Sequence, residues 1–108
     1  MAGQYQPFKF SHKPAYIIFT RITTIDQKEL EKYWSLIGET MKGHPIEVLS
    51  PYGDFEVLEG DQIQGVVVAK FPDMESARKW YFGKPYQEAA AHRKAGAIYN
   101  GVLVEGIV

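Results

Sequence analysis

An α+β domain, with one antiparallel sheet and its helices on one face, is the fold class this sequence predicts. Runs rich in β-branched and aromatic residues alternate with stripes at helical spacing, in the order strand, helix, strand, strand, helix, strand. The central strands are apolar at consecutive positions rather than at every second one. A length of 108 residues fits one domain, in which folding hides about 65% of the surface of the unfolded chain. One sheet built in that order with helices on one face is the ferredoxin-like βαββαβ plan.

Residues 1–13 show neither period and contain Gly3 and Pro7, so they read as an N-terminal arm. Its Tyr5, Phe8 and Phe10 suit an arm that lies on a surface. Residues 14–108 form the single domain. Positions 15–23 are dense in β-branched and aromatic residues and read as a strand. Asp26 then serves as an N-cap, with Glu29 three residues on to close a capping box. Leu30, Tyr33, Trp34, Ile37 and Met41 follow at spacings of three and four, the apolar stripe of a helix. Gly43 suits the position just past the end, and Pro45 prevents continuation.

Residues 46–50 read as a second strand, and residues 55–58 resume an extended pattern after the turn at Pro51-Tyr52-Gly53-Asp54. Residues 64–71 form a third strand around Val66-Val67-Val68. Asp73 caps a second helix whose buried stripe is Ala77, Trp80 and Tyr81, ended by Gly83. Pro85 opens a short third helix over residues 86–95, ended by Gly96. Residues 98–108 return to strand character. Two main helices cover only one face of a sheet that is apolar on both. A second copy of the same sheet is the simplest cover for the other face, so the sequence predicts a homodimer.

Composition removes several functions. Twelve Lys and Arg against thirteen Asp and Glu give a net charge of -1, which lacks the basic footprint of a nucleic-acid binder. There is no cysteine, so disulfides, thiolate metal sites and cysteine nucleophiles are absent. No apolar run reaches the length of a membrane span. The N-terminal residues lack the apolar core of a signal peptide, which makes the cytoplasm the expected compartment.

Glu56-Val57-Leu58-Glu59-Gly60-Asp61, Val66-Val67-Val68, Phe71-Pro72, Ala77, Trp80-Tyr81, Pro85-Tyr86-Gln87, Arg93 and Val104-Glu105-Gly106 follow one another in a recognisable order and spacing. Over residues 14–106 this pattern resembles domain-of-unknown-function family 1330, within the dimeric α/β-barrel superfamily. Relatives in that superfamily include muconolactone isomerases, quinone-forming monooxygenases and polyketide cyclases. The resemblance implies a ferredoxin-like dimer with sheets packed face to face and a small pocket in each protomer between sheet and helices. The chain departs from the family between the first helix and Glu56. It reads His44-Pro45-Ile46 and Ser50-Pro51-Tyr52 where members commonly have a Gly-rich turn and a basic residue.

The candidates for chemistry are few. His12, His44 and His92 share no ligand spacing, so no metal site is expected. No phosphate loop, nucleophile elbow or dinucleotide fingerprint is present, and no organic cofactor is expected. His44, at a helix-to-strand turn, is the acid/base candidate, although a helix C-terminus also favours a histidine electrostatically. Arg93 matches a position the family usually fills with arginine. Its guanidinium suits a carboxylate or enolate oxygen, or else an ion pair with Glu59 or Asp61. Tyr86 is the third catalytic candidate, as a phenol that can donate to a substrate oxygen. Tyr81, Trp80 and Asn100 are the substrate-binding candidates: Trp80 equally suits the core, and Asn100 is a polar group in an apolar strand. Gly101 beside it suits a close approach or a bulge. These residues suit acid/base chemistry without a cofactor on a small oxygenated, aromatic or cyclic compound. Isomerisation, cyclisation, dehydration and oxygenation all remain open, as does a non-catalytic dimer that binds a metabolite or a protein.

Overall fold

In a computed structural model that describes residues 13–108, three helices pack on one face of a four-stranded antiparallel sheet. The elements run β1 (Ala15–Thr24), α1 (Gln27–Met41), β2 (Glu47–Pro51), β3 (Gly65–Phe71), α2 (Met74–Tyr81), α3 (Lys84–Gly96) and β4 (Ala97–Glu105). The strand order is β2-β3-β1-β4, the ferredoxin-like arrangement. The sequence places every one of these elements. Its N-terminal arm, residues 1–13, lies outside the described residues except for Lys13. Among the described residues no helix is long and apolar enough to cross a membrane.

The helix ends follow their capping chemistry. The Asp26 side chain accepts from the backbone N–H groups of Lys28 and Glu29, and Asp73 accepts from that of Ser76. Gly43 adopts φ +80, the left-handed conformation that ends α1 without a Cβ penalty. The third helix is longer than its sequence suggests. It spans thirteen residues against eight for α2, because Gly83 caps it and Pro85 sits in its first turn.

Register decides which side chains meet the helices. Ile17 pairs with Ala69 and Leu103, and Phe19 with Val67 and Gly101, so these residues share the covered face. With Leu30, Tyr33, Phe71, Ala77, Trp80, Tyr86, Ala89 and Ala90 they build the core. The alternate residues form the other face. There Ile18 lies between Val68 and Val102, and Tyr16 between Lys70 and Val104. These side chains are half-buried or exposed, Val102 at 57%.

α3 packs on α1 through backbone. The N–H groups of Ile25 and Asp26 donate to the Gly96 carbonyl at 2.8 and 2.9 Å. A Cβ at position 96 would lie 2.6 Å from the Leu30 nitrogen, so only glycine fits this crossing. His92 Nδ1 meets Glu29 Oε1 at 2.8 Å and ties the same two helices.

One extended segment differs from expectation. Residues 55–58 pair with no strand and belong to a connection between β2 and β3. Among the described residues Phe55 and Leu58 stay 43% and 85% exposed, while Val57 is half-buried.

Candidate functional site

A cavity of about 480 Å³ lies between the covered face of β1 and β4 and the helices α2 and α3. Its walls include Phe19, Tyr81, Phe82, Arg93, Lys94 and Tyr99. Part of the room comes from Gly101, which presents no side chain to the covered face. A Cβ there would lie 2.9 Å from Phe19 Cε1, so the Phe19 ring rests directly on the strand.

Arg93 carries the electrostatics. It lies in the last turn of α3 amid Ala89, Ala90 and Gly96, and only 5% of it is exposed. Its guanidinium carbon stands 5.0 Å from the Phe19 ring centre, 5.0 Å from that of Tyr99 and 5.9 Å from that of Tyr33. The partners of this cation among the described residues are these ring faces and the neutral Tyr86 hydroxyl, on which its charge and hydrogen bond act. Its Nε makes no hydrogen bond, and among the described residues no carboxylate pairs with it. Glu59 and Asp61, the ion-pair partners the sequence allows, sit exposed in the β2–β3 connection. Among the described residues no carboxylate lines the cavity, whereas Lys94 adds a second cation to it.

Tyr86 is fully buried and touches neither this cavity nor the smaller one described below. Its hydroxyl bonds that of Tyr33 at 2.9 Å, and its ring packs 4.2 Å from Trp80 and 5.3 Å from Tyr81, centre to centre. Burial pushes both phenols above the usual range; the Arg93 charge opposes this in each case. Tyr99 is also raised, first by burial and then by its bond to Tyr52. Near neutral pH all three are hydrogen-bonding phenols rather than bases.

Phe19 and Tyr99 also wall a second cavity of about 180 Å³, beneath α1 and β2. Tyr52 stands at its edge with φ 60, a conformation uncommon for a residue bearing a Cβ. That turn aims the Tyr52 hydroxyl at the hydroxyl of Tyr99, and Trp34 Nε1 donates to it at 3.3 Å. The Arg21 guanidinium caps this group, 5.5 Å from the Trp34 ring centre and 5.3 Å from that of Tyr52.

Of the sequence candidates, Arg93 and Tyr81 meet at the larger cavity. Trp80 belongs to the core: it borders the smaller cavity and donates from Nε1 to Thr40 Oγ1 at 3.2 Å. His44 is half-buried in the turn after α1 and lines neither cavity. Asn100 pairs with Thr20 on the opposite face of the sheet, because Gly101 rather than Asn100 has the parity that faces the helices. His92 is engaged with Glu29, and His12 lies outside the described residues. Among the described residues no three His, Asp or Glu side chains converge as metal ligands would. Phe19, Tyr33, Tyr52 and Tyr99 build the site's walls without having been singled out. Their only signal in the sequence is aromatic density.

The model of a family described as a domain of unknown function, DUF1330, matches residues 14–107. No curated protein matches the chain. Among solved structures, the RPA0582 protein of unknown function from Rhodopseudomonas palustris superposes with a TM-score of 0.72 at 16% identity, covering 99% of each chain. A dimeric ferredoxin-like protein of unknown function from Thermobifida fusca gives 0.61 at 15% identity, over 97% of this chain and 100% of the other. SnoaB, a cofactor-independent oxygenase from Streptomyces nogalater, gives 0.59 at 13% identity, over 84% of this chain and 90% of the other.

Proposed function

The chain belongs to the DUF1330 family, and we propose that it is a small-molecule enzyme acting without metal or organic cofactor on a small oxygenated ring compound. The observation that carries this reading is Arg93, a buried permanent cation in a ring-walled cavity with no carboxylate partner among the described residues. Ring walls suit a flat substrate, and a fixed guanidinium lowers the energy of negative charge that develops on a substrate oxygen. Tyr81 contributes a further wall. Among the described residues the lining holds neither imidazole nor carboxylate, so this reading takes a substrate acidic enough to give up its proton to water. That favours oxygenation of an easily ionised ring over reactions that need a strong protein base. SnoaB, with this fold, is described as a cofactor-independent oxygenase, which supports the fold's capacity for such chemistry. We place the protein in the cytoplasm as a homodimer joined through the open sheet face, as the apolar side chains there and the dimeric neighbours support.

Incubation in air with cyclic diketones and polyhydroxylated aromatics, followed by mass spectrometry, tests the reading. Turnover by the natural protein is expected, with a loss on the order of a hundredfold or more in Arg93→Gln. Unchanged turnover in that variant overturns it. The absence of an imidazole or carboxylate from the lining also fits a metabolite-binding dimer without turnover, and a ring compound bound but recovered unaltered would select that alternative.

A further inference from the structure

Charge developing during a reaction would satisfy the reading above, but the lining of the larger cavity asks for more. Among the described residues two cations, Arg93 and Lys94, border it and no acidic side chain does. An arginine cannot shed its proton to escape burial. With ring faces and one neutral phenol as its partners among the described residues, a buried guanidinium keeps much of its desolvation cost, which a bound anion would offset. A neutral ligand would occupy the same space and leave the cation uncompensated. The walls select shape as well. Phe19 and Tyr99 stand at 90° to each other, 6.2 Å between centres, and both lie against the guanidinium, while Tyr81, 6.5 Å from Phe19, and Phe82 add further ring walls. A flat ring fits against such walls, and a planar oxyanion matches the flat fork of Arg93.

We propose that this cavity takes its ligand as an anion already formed: a flat ring compound bearing one delocalised oxyanion, a carboxylate or enolate, held by Arg93 with Lys94 toward the mouth, and that it rejects the neutral isostere. The inference rests on the reading of the cavity as a ring-binding site and adds the charge state in which the ligand arrives. Arg93 then sets charge preference, while Lys94, exposed at the rim, adds a salt-sensitive attraction.

Benzoate and benzamide are near-isosteric probes that differ in charge. Calorimetric titration of the full-length protein is expected to show benzoate binding at least tenfold tighter than benzamide, with the ratio falling to about twofold or less in Arg93→Gln. Arg93→Lys keeps the charge without the planar fork, so it should retain the preference at lower affinity. It also serves if Arg93→Gln does not fold. Lys94→Gln should keep the preference and flatten the dependence of affinity on salt. Equal binding of the two probes by the natural protein overturns the anion inference and leaves the ring-binding reading standing. A benzoate preference that persists undiminished in Arg93→Gln overturns it as well. Failure of every ring probe, charged or neutral, removes both.

Discussion

Tyr86 and Tyr33 place two phenol oxygens in the core, and each is the other's hydrogen-bond partner. Tyr86→Phe alone strands the Tyr33 hydroxyl, at a cost of about 1–3 kcal/mol. Converting both to Phe removes the pair together, so the double variant should unfold at higher denaturant than the single one. A chemical denaturation series of the three variants checks this, and a double variant weaker than the single one contradicts it. Tyr86 lines neither cavity, so a change of ligand affinity in the single variant would come through its contact with Arg93. At this scale the sequence is informative where chemistry is anomalous and mute where it is ordinary. An arginine among alanines is conspicuous in any register, and Arg93 does reach the cavity. Asn100 and Gly101 differ by one position in a strand, and that single step sends one to the open face and the other to the cavity wall. The strand is apolar at consecutive positions on both sides of this pair, so no local pattern distinguishes those two outcomes. Tyr33 carries helical spacing that any core residue would show, and Tyr99 reads as an ordinary aromatic of a strand, so neither announces its role.

Helix α3 is held to α1 by two features that answer to different tests. Position 96 admits no Cβ, because backbone atoms of α1 would stand within 3.0 Å of it. Gly96→Ala should therefore cost at least about 2 kcal/mol, although alanine is the better helix former, and thermal unfolding measures it. The His92–Glu29 contact is a pH-dependent tie. Its hydrogen bond to His92 is the largest cause holding the Glu29 carboxyl below its ordinary value; the folded state therefore binds that proton less readily than the unfolded one. Stability from this group is present above the unfolded value and is lost as pH falls through the folded one. Glu29→Gln should accordingly flatten the acid side of a plot of Tm against pH. An unchanged acid limb would show that the contact does not contribute. The helices were legible because aspartates, glycines and prolines mark their ends directly. The segment at 55–58 was not, since an apolar stretch resembles a strand until its pairing is known, and pairing is a property of the fold rather than of the stretch.

At the level of the whole molecule, the two faces of the sheet have different fates. The covered face supplies core and cavities, and the other presents Ile18, Val66, Val68, Val102 and Val104, with Thr20, Lys70 and Asn100 among them. Register settles that Val68, not Val67, points to this open side. Val68→Lys should convert a dimer into a monomer or an aggregate by setting a charge in the joined sheets, while the isosteric Val67→Thr on the helix side should leave assembly intact. Light scattering separates these outcomes, and a stable monomer for the unmodified chain would refute the dimer. The two-sided apolar pattern was the most legible global property of the sequence, because it depends on neither register nor loop geometry.

Gly101 lets the Phe19 ring rest on bare backbone, and that absence of a methyl sets how wide the neighbouring chamber is. On the proposed reading of the cavity, ligand size is set from β4 and ligand charge from α3, by residues in separate elements. A methyl at 101 would lift the ring inward and exclude larger guests such as naphthoate, while benzoate would still be told from benzamide. The two tolerances can therefore drift apart within a lineage. Change at the strand would move such a protein among substrates of one charge and many sizes, and the helix would keep the rule about charge unaltered.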